Sequence, residues 1–462
     1  MNYQTLLARG DERAIRVGLI GVGQFGMTLL AQSRRIADVS LCVLCDTRVE
    51  PVIAACEAQG FGKEALVNAS SRALALEALE HGRIVITDDS ALATSLPLDV
   101  IVEATGDAEA GARNAIGAID NGSHLVLVTK ETDSVVGPVL GRRARAAGLT
   151  LTQVDGDQPS LILALLSWAR TLGLEVICAG KASEYDFVAD PVTGLVTADG
   201  KASPVGDLAS LWTCAPQELP AQIAARARTL QELTQRSVPD FCELCLVANG
   251  SGLLPDKPDL HAAVARTLEL PNIFRLEADG GLLSACGRLD VFNCLRRPDE
   301  LSFAGGVFAT VALPDRQTGR LFADKGIPVS ADHHTALIYN PTHLLGVEAL
   351  MSVLVAARLG TATGSDDVRP VCDVVARATM DLPAGTILNE GRRHAIDGVA
   401  ANLLSAAAAA PGSPMPYFMA AGRRLIQPVA AGDVIPFEAV EPRADSLVWS
   451  LREEQDRTLL GQ

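Results

Sequence analysis

Positive charge is what this sequence is shortest of: 39 Lys and Arg stand against 55 Asp and Glu, a formal net charge of −16. A nucleic-acid backbone or an anionic membrane would be repelled at long range, so neither is expected as a partner. A local basic cleft for a small anion stays compatible with that total. The chain also has no apolar run long enough to span a bilayer, and its opening, MNYQTLLARGDERAIRVGLIG, lacks the charged, apolar, small-residue order of a secretory signal. A cytoplasmic protein is the expectation. Metal-knuckle turns are missing as well. Two Cys-x-x-Cys spacings occur, Cys42/Cys45 and Cys242/Cys245, but neither has the turn residues of a zinc site. Cys42 and Cys45 fall on a predicted strand, where residues three apart face opposite sides. The cysteines inside apolar runs read as small reduced hydrophobes. No metal site is expected.

What is present is an ordinary globular composition, 48% hydrophobic and 20% charged, over 462 residues. That length exceeds what one hydrophobic core usually supports, so two or three domains are expected. The run IRVGLIG (15–21) reads as a strand ending in a glycine turn, followed by helical spacing from Gln24 to Ile36. VSLCVLCD (39–46), RIVIT (83–87), LDVIVEATG (98–106) and HLVLVT (124–129) read as further strands, with helical stretches between them. Near-continuous apolar strands alternating with helices indicate a doubly wound parallel sheet of the Rossmann type, over residues 1–152. Within it, Ala54–His81 reads as a helical insertion.

From residue 153 the rhythm changes, and an α+β substrate domain is expected over 153–367. HLLGVEALMSVLVAARLG (343–360), apolar on nearly all faces, reads as a buried helix closing it. Composition shifts again at about Val368. Residues 381–388, DLPAGTIL, echo 428–435, PVAAGDVI, each with a glycine turn between apolar flanks. Two related β-turn units in a small β-rich module over 368–462 are expected.

The most specific motif is Gly21-Val22-Gly23-Gln24-Phe25-Gly26 between a strand and a helix. Its first glycine permits the turn, the second lets the backbone approach a pyrophosphate, and the third lets helix and strand come close. Asp46 ends the next strand, 20 residues after Gly26, where a carboxylate accepts hydrogen bonds from an adenosine ribose. Asp46 alone favours NAD, whereas Arg48 two residues on suits the 2′-phosphate of NADP, so NAD(P)H is the cofactor expected. Thr105 and Gly106, at the end of a later strand, leave room for the nicotinamide ribose.

Two lysines stand at strand ends on the same sheet edge. Lys130 lies in VTKETD and reads either as a cofactor-edge lysine or as an ordinary surface one. Lys181 follows LEVICAG, beside Ser183, Glu184, Tyr185 and Asp186. Carbonyl reduction needs a donor near the oxygen that gains charge, which makes Lys181 the first candidate for catalysis; a salt bridge to Glu184 or Asp186 is the alternative. Asp157, in the turn Gly156-Asp157-Gln158-Pro159, reads equally as a helix cap and as a substrate contact. Glu243 sits among apolar neighbours on a predicted helix, so its carboxylate must find a partner or face a cleft. His343 is placed at the head of the buried helix, with structural and catalytic readings both open.

Together LIGVGQFG, VEATGD, VTKETD, DGDQPSL, AGK, YNPTHLLGVE and the duplicated PAGT/AAGD unit resemble the deoxyxylulose-phosphate-reductoisomerase-like oxidoreductases over nearly the whole chain. That family joins a homoserine-dehydrogenase-like Rossmann domain and a catalytic domain to a C-terminal SAF module. The resemblance implies hydride transfer between NAD(P)H and a small polyhydroxylated carbonyl compound, phosphorylated in the best-known members. It also implies a homodimer or homotetramer, and a link to isoprenoid biosynthesis or to sugar-acid breakdown. Homoserine dehydrogenases carry an asparagine before the lysine that resembles Lys130; here it is Thr129, which argues against that activity. A dinucleotide- or carbohydrate-binding sensor without turnover is the reading from another class.

Overall fold

The computed structural model describes residues 2–8, 13–205, 212, 214 and 218–461. Its first sheet has seven strands: β1 (Ile15–Ile20), β2 (Val39–Cys45), β3 (Leu66–Asn68), β4 (Ile84–Thr87), β5 (Val100–Glu103), β6 (His124–Leu127) and β7 (Leu151–Gln153). Their order is β3-β4-β2-β1-β5-β6-β7, and every pairing is parallel. Parallel strands need crossovers, and these are helices covering both faces, so the strands are apolar almost throughout. Strand order reverses at β1, and the crevice outside the carboxyl ends of β1 and β5 is where such sheets bind ligands. The expected insertion is less helical than its composition suggests. It contains the edge strand β3, which pairs with β4, and the helix Arg72–Glu80. Three residues are too few to show a strand period in sequence.

The second sheet is mixed and is built around β8 (Val176–Ala182). Its other strands are β9 (Phe187–Asp190), β10 (Leu195–Ala198), β11 (Lys201–Pro204), β12 (Leu254–Pro255), β13 (Ala263–Ala265), β14 (Arg288–Arg296), β15 (Val307–Ala312) and β16 (Thr335–Asn340). The order β11-β10-β9-β14-β8-β15-β16 places β8 between a parallel partner, β14, and an antiparallel one, β15. Every residue of β8 is buried. Lys181 is therefore inside the strand, between Val291 and Val307, not beyond its end.

The expected closing helix over 343–360 is shorter. A 3-10 turn, Leu345–Val347, precedes a helix at Ala349–Leu359. Leu345 sits at φ 54°, and Gly346 lies against the Phe25 carbonyl so closely that a Cβ there would come within 2.4 Å of it. This contact with the helix Gln24–Ser33 interrupts any continuous helix and leaves His343 in a loop. Ala349, Leu350 and Val353 then bury in the core of the first sheet, returning the second unit to the first.

The C-terminal segment contains the two-stranded ladder β17 (Cys372–Ala378) and β18 (Val399–Ser405). The two echoed segments face each other: Leu382 and Val429 exchange backbone hydrogen bonds of 2.9 Å, and Gly385 and Gly432 both adopt φ 93°. The chain ends in the helix Leu447–Gln455, which lies on the helices Lys130–Ala146 and Ala108–Asp120 of the first unit. Inside this joint Arg452, 1% exposed, holds Asp373 through two bonds of 2.7 and 2.8 Å and Asp456 through a third of 2.7 Å. Among the described residues no helix is long and apolar enough to cross a membrane.

Candidate active site

The turn after β1 shows the division of labour among its glycines. A Cβ on Gly21 would lie 2.3 Å from the Ala104 carbonyl oxygen, at φ 92°, and one on Gly26 would lie 2.5 Å from the Gly21 carbonyl. Gly23 is different: it caps the helix Gln24–Ser33, and a Cβ there meets nothing within 4 Å. Its backbone thus borders open space at a helix N-terminus, the cradle a pyrophosphate requires. Asp46 ties the turn to the end of β2. Its carboxylate accepts from the Val22 N–H at 2.9 Å and from the Arg48 N–H at 3.0 Å. Arg48 itself is exposed. Thr105 turns its hydroxyl onto the buried Glu103 at 2.5 Å, and the Gly106 N–H donates to the Thr129 hydroxyl at 3.0 Å. Burial raises the Glu103 carboxyl above its ordinary value.

Gln24, Phe25 and Gly106 open onto a cavity of about 540 Å³ whose far wall holds the two lysines. Lys130 is the first residue of the helix Lys130–Ala146. Its ammonium lies 3.0 Å from Asp157 and 2.8 Å from Glu243, with 23% of the side chain open. Lys181 is 1% exposed and ion-pairs with Glu243 and, at 3.0 Å, with Asp240. The salt bridge considered for Lys181 therefore exists, but to Asp240 and Glu243, not to Glu184 or Asp186; Asp186 pairs with Arg296 at 2.6 Å instead. Asp157 takes the capping role considered for it, at the start of the helix Gln158–Thr171, and also holds Lys130.

Burial alone would lower the proton affinity of both lysines, yet the facing carboxylates outweigh this and hold each ammonium protonated well above its ordinary range. Glu243, between two ammoniums, is correspondingly held ionised far below the usual carboxylate range. The five groups Lys130, Lys181, Asp157, Asp240 and Glu243 form one buried network of two cations and three anions. Losing either lysine would leave buried carboxylates without a counter-charge. His343 is half-buried in the loop after β16 and lines the same cavity.

The remaining wall comes from the C-terminal module, and sequence reasoning missed it. Arg392, Arg393 and His394 reach the cavity from the loop between β17 and β18. His394 is clasped by Glu390 of its own loop and by Glu131 at 2.8 Å, on the helix that carries Lys130. These carboxylates raise its imidazole from 6.5 to about 9, so it is a cation at neutral pH. Arg393 makes a bidentate pair with Asp199 at 2.7 and 2.8 Å and stacks 4.4 Å over the Tyr185 ring. Three consecutive basic residues in so acidic a chain were the available signal. For Asp240 it was the spacing to Glu243, i and i+3, which puts both carboxylates on one helix face.

Residues 156–349 match the family model described as oxidoreductase DRL, catalytic domain. The central part of the chain is similar to an oxidoreductase catalytic domain. No curated relative matches the chain. Among solved structures, an oxidoreductase domain protein from Kribbella flavida is 18% identical, covering 39% of this chain and 44% of that one, with a TM-score of 0.28. A probable dehydrogenase from Thermotoga maritima is 16% identical over 39% and 50% of the two chains, with a TM-score of 0.28. The myo-inositol dehydrogenase from Lactobacillus casei is 12% identical over 38% and 48%, with a TM-score of 0.27. The matched region thus spans half or less of those proteins.

Proposed function

We propose that the protein is an NAD(P)-dependent oxidoreductase acting on a small polyhydroxylated carbonyl compound or the corresponding alcohol. The observation that carries this reading is the sharing of one cavity by the glycine-turn residues Gln24 and Phe25 and the Lys130–Glu243–Lys181 network. The open backbone at Gly23 fits a dinucleotide pyrophosphate, and Asp46 at the end of β2 and Gly106 at the cavity support contacts to the adenosine and nicotinamide riboses. When bound, the nicotinamide supplies or accepts the hydride.

The chain's own residues do the rest. Lys130, the more open of the two lysines, donates a hydrogen bond to the substrate oxygen and stabilises the negative charge that develops there as the carbon is reduced. Its ammonium carries the proton the oxygen takes up. Asp157 and Glu243 fix Nζ of Lys130 in place, and Lys181 keeps Glu243 ionised from behind. This arrangement gives Lys181 a positioning role, because its ammonium is enclosed by two carboxylates. His343, which lines the same cavity, orients a substrate hydroxyl.

Within this class, the motifs LIGVGQFG, VTKETD and DGDQPSL, by their resemblance, favour a deoxyxylulose-phosphate-reductoisomerase-like activity. A sugar-acid dehydrogenase uses the same groups. The test is a screen for oxidation of NADH and NADPH with deoxyxylulose 5-phosphate and a panel of keto sugars, keto acids and aspartate semialdehyde, for wild type and Lys130→Met. Turnover that falls at least about a hundredfold in the variant, with dinucleotide binding retained, supports the reading. Dinucleotide binding without turnover of any compound would favour a sensor.

A further inference from the structure

The two lysines of the site are already overmatched by carboxylates, so an anionic group on a ligand is not welcome there: their network holds three anions to two cations. The free positive charge lies elsewhere. Arg392 is exposed and has no ion pair or side-chain hydrogen bond among the described residues, whereas its neighbours Arg393 and His394 are both committed to carboxylates. It lines the catalytic cavity and also an adjoining one of about 630 Å³, which shares Arg393 and Ser237 with the first.

That second cavity is basic in a chain of net charge −16. Lys201, Arg236, Arg377, Arg392 and Arg393 line it, against Asp199 and Asp259. Arg236 and Arg377 are engaged, the first with the carbonyls of Asp259 and Leu260 and the second with Asn402. Lys201, like Arg392, has no such partner among the described residues. Arg392, Arg393 and Lys201 line this cavity together with Asp199, whose carboxylate Arg393 holds directly; the three cations keep it below its ordinary value. Three cations around one anion leave a centre of positive charge without its counter-ion.

The backbone here is shaped for presentation. Arg393 and His394 both adopt left-handed conformations, φ 55° and 60°, which few side chains occupy without support. Support comes from both other units: Asp199 and Tyr185 grip Arg393, and Glu131 grips His394. Arg392 stands directly before these two anchored residues and lines both cavities.

We propose that Arg392, with Lys201 and Arg393 beside it, is the receptor for an oxyanion, a phosphate or carboxylate, borne by the substrate at the end away from Lys130. The C-terminal module then supplies the specificity element of the active site. Its substrate part rests on the oxidoreductase reading; its anion-binding part does not.

The experiment is a calorimetric titration of the full-length protein with inorganic phosphate at constant ionic strength, for wild type, Arg392→Gln and Arg392→Lys. It is paired with steady-state kinetics of phosphorylated and unphosphorylated forms of whichever keto sugar is turned over. Expected are phosphate binding weakened about tenfold or more in Arg392→Gln and partly restored in Arg392→Lys, competition between phosphate and substrate, and a KM for the anionic substrate that rises more than kcat falls. Phosphate binding unchanged by Arg392→Gln would overturn the proposal. Binding through Arg392 that does not compete with substrate would overturn its substrate part and make the site one for a free anion. If the wild type oxidises no reduced dinucleotide at all, the oxidoreductase reading falls, and the phosphate titration still decides the role of Arg392.

Discussion

Replacing His394 by Asn tests how the C-terminal module is fastened over the cavity. Asparagine is chosen because the residue sits at φ 60°, a region that asparagine tolerates far better than most side chains, so the backbone is spared and only the charge is lost. In the folded protein the imidazole titrates at about 9 rather than 6.5, raised chiefly by its bonds to Glu131 and Glu390. A rise of that size corresponds to about 3 kcal/mol of preference for the protonated folded state. The side chain is 26% exposed, so solvent screening lowers the expected effect to about 2 kcal/mol. Because the folded value is raised, this stabilisation is fully present below about pH 6.5 and is lost as pH climbs through about 9. Denaturant unfolding of wild type and His394→Asn at intervals between about pH 6 and pH 10 should therefore show a gap of about 2 kcal/mol at the acid end that closes at the alkaline end. Proteolysis of the 390–398 loop should accelerate in the wild type over the same interval. A gap that stays constant with pH would mean the histidine is not a cation in the folded protein, and the argument for a charged latch would fail.

Gly23→Val should leave thermal stability within about 2 °C of wild type, since its Cβ enters open space, while weakening dinucleotide binding by about tenfold or more. Unchanged affinity in a fluorescence titration would place the pyrophosphate elsewhere. Lys181→Met should cost about 3–5 kcal/mol in denaturant unfolding, because it abandons the buried Asp240, and Lys130→Met should cost less, since Lys130 and Asp157 are partly open. Equal costs would contradict the division between a positioning lysine and a substrate-facing one. Asp133 is 2% exposed, and burial pushes its carboxyl up to about 6. Its raised folded value means the folded state is increasingly penalised as pH rises from about 4 to about 6, so Asp133→Asn should stabilise by up to about 3 kcal/mol near pH 8 and by only about 0.5 kcal/mol near pH 4. Gln153 Nε2, 2.9 Å from the carboxylate, can donate to the amide oxygen instead, and a pH-independent effect would refute the assignment.

How much of this was legible in the sequence depends on whether the information was local. The glycine turn was, because Gly21, Gly23 and Gly26 serve a strand and a helix that are neighbours in the chain, and the apolar runs of β1, β2, β5 and β6 announced a parallel sheet. The charged residues of the site were legible for a different reason. Lys181 in an apolar strand and Glu243 in an apolar helix are each unfavourable unless something answers their charge, and the structure brings Lys130, Asp157, Lys181, Glu243 and His343 to one cavity. Which charge answers which was not legible, since pairing depends on tertiary geometry: Lys181 had Glu184 and Asp186 nearby in sequence and paired with Asp240 and Glu243 on a distant helix.

The Arg392–His394 loop lies at the limit of that logic. Its composition was visible as three consecutive basic residues, but its place was not, because Arg393 and His394 are held by partners from different units: Glu131 from the first sheet's helices, Asp199 from the hairpin of the second. Those pairings also explain why two consecutive left-handed residues persist there. A loop bound to one unit alone could relax its backbone by shifting as a body. Held from both sides, it cannot, and the strain is kept at the one place where Arg392 opens onto both cavities.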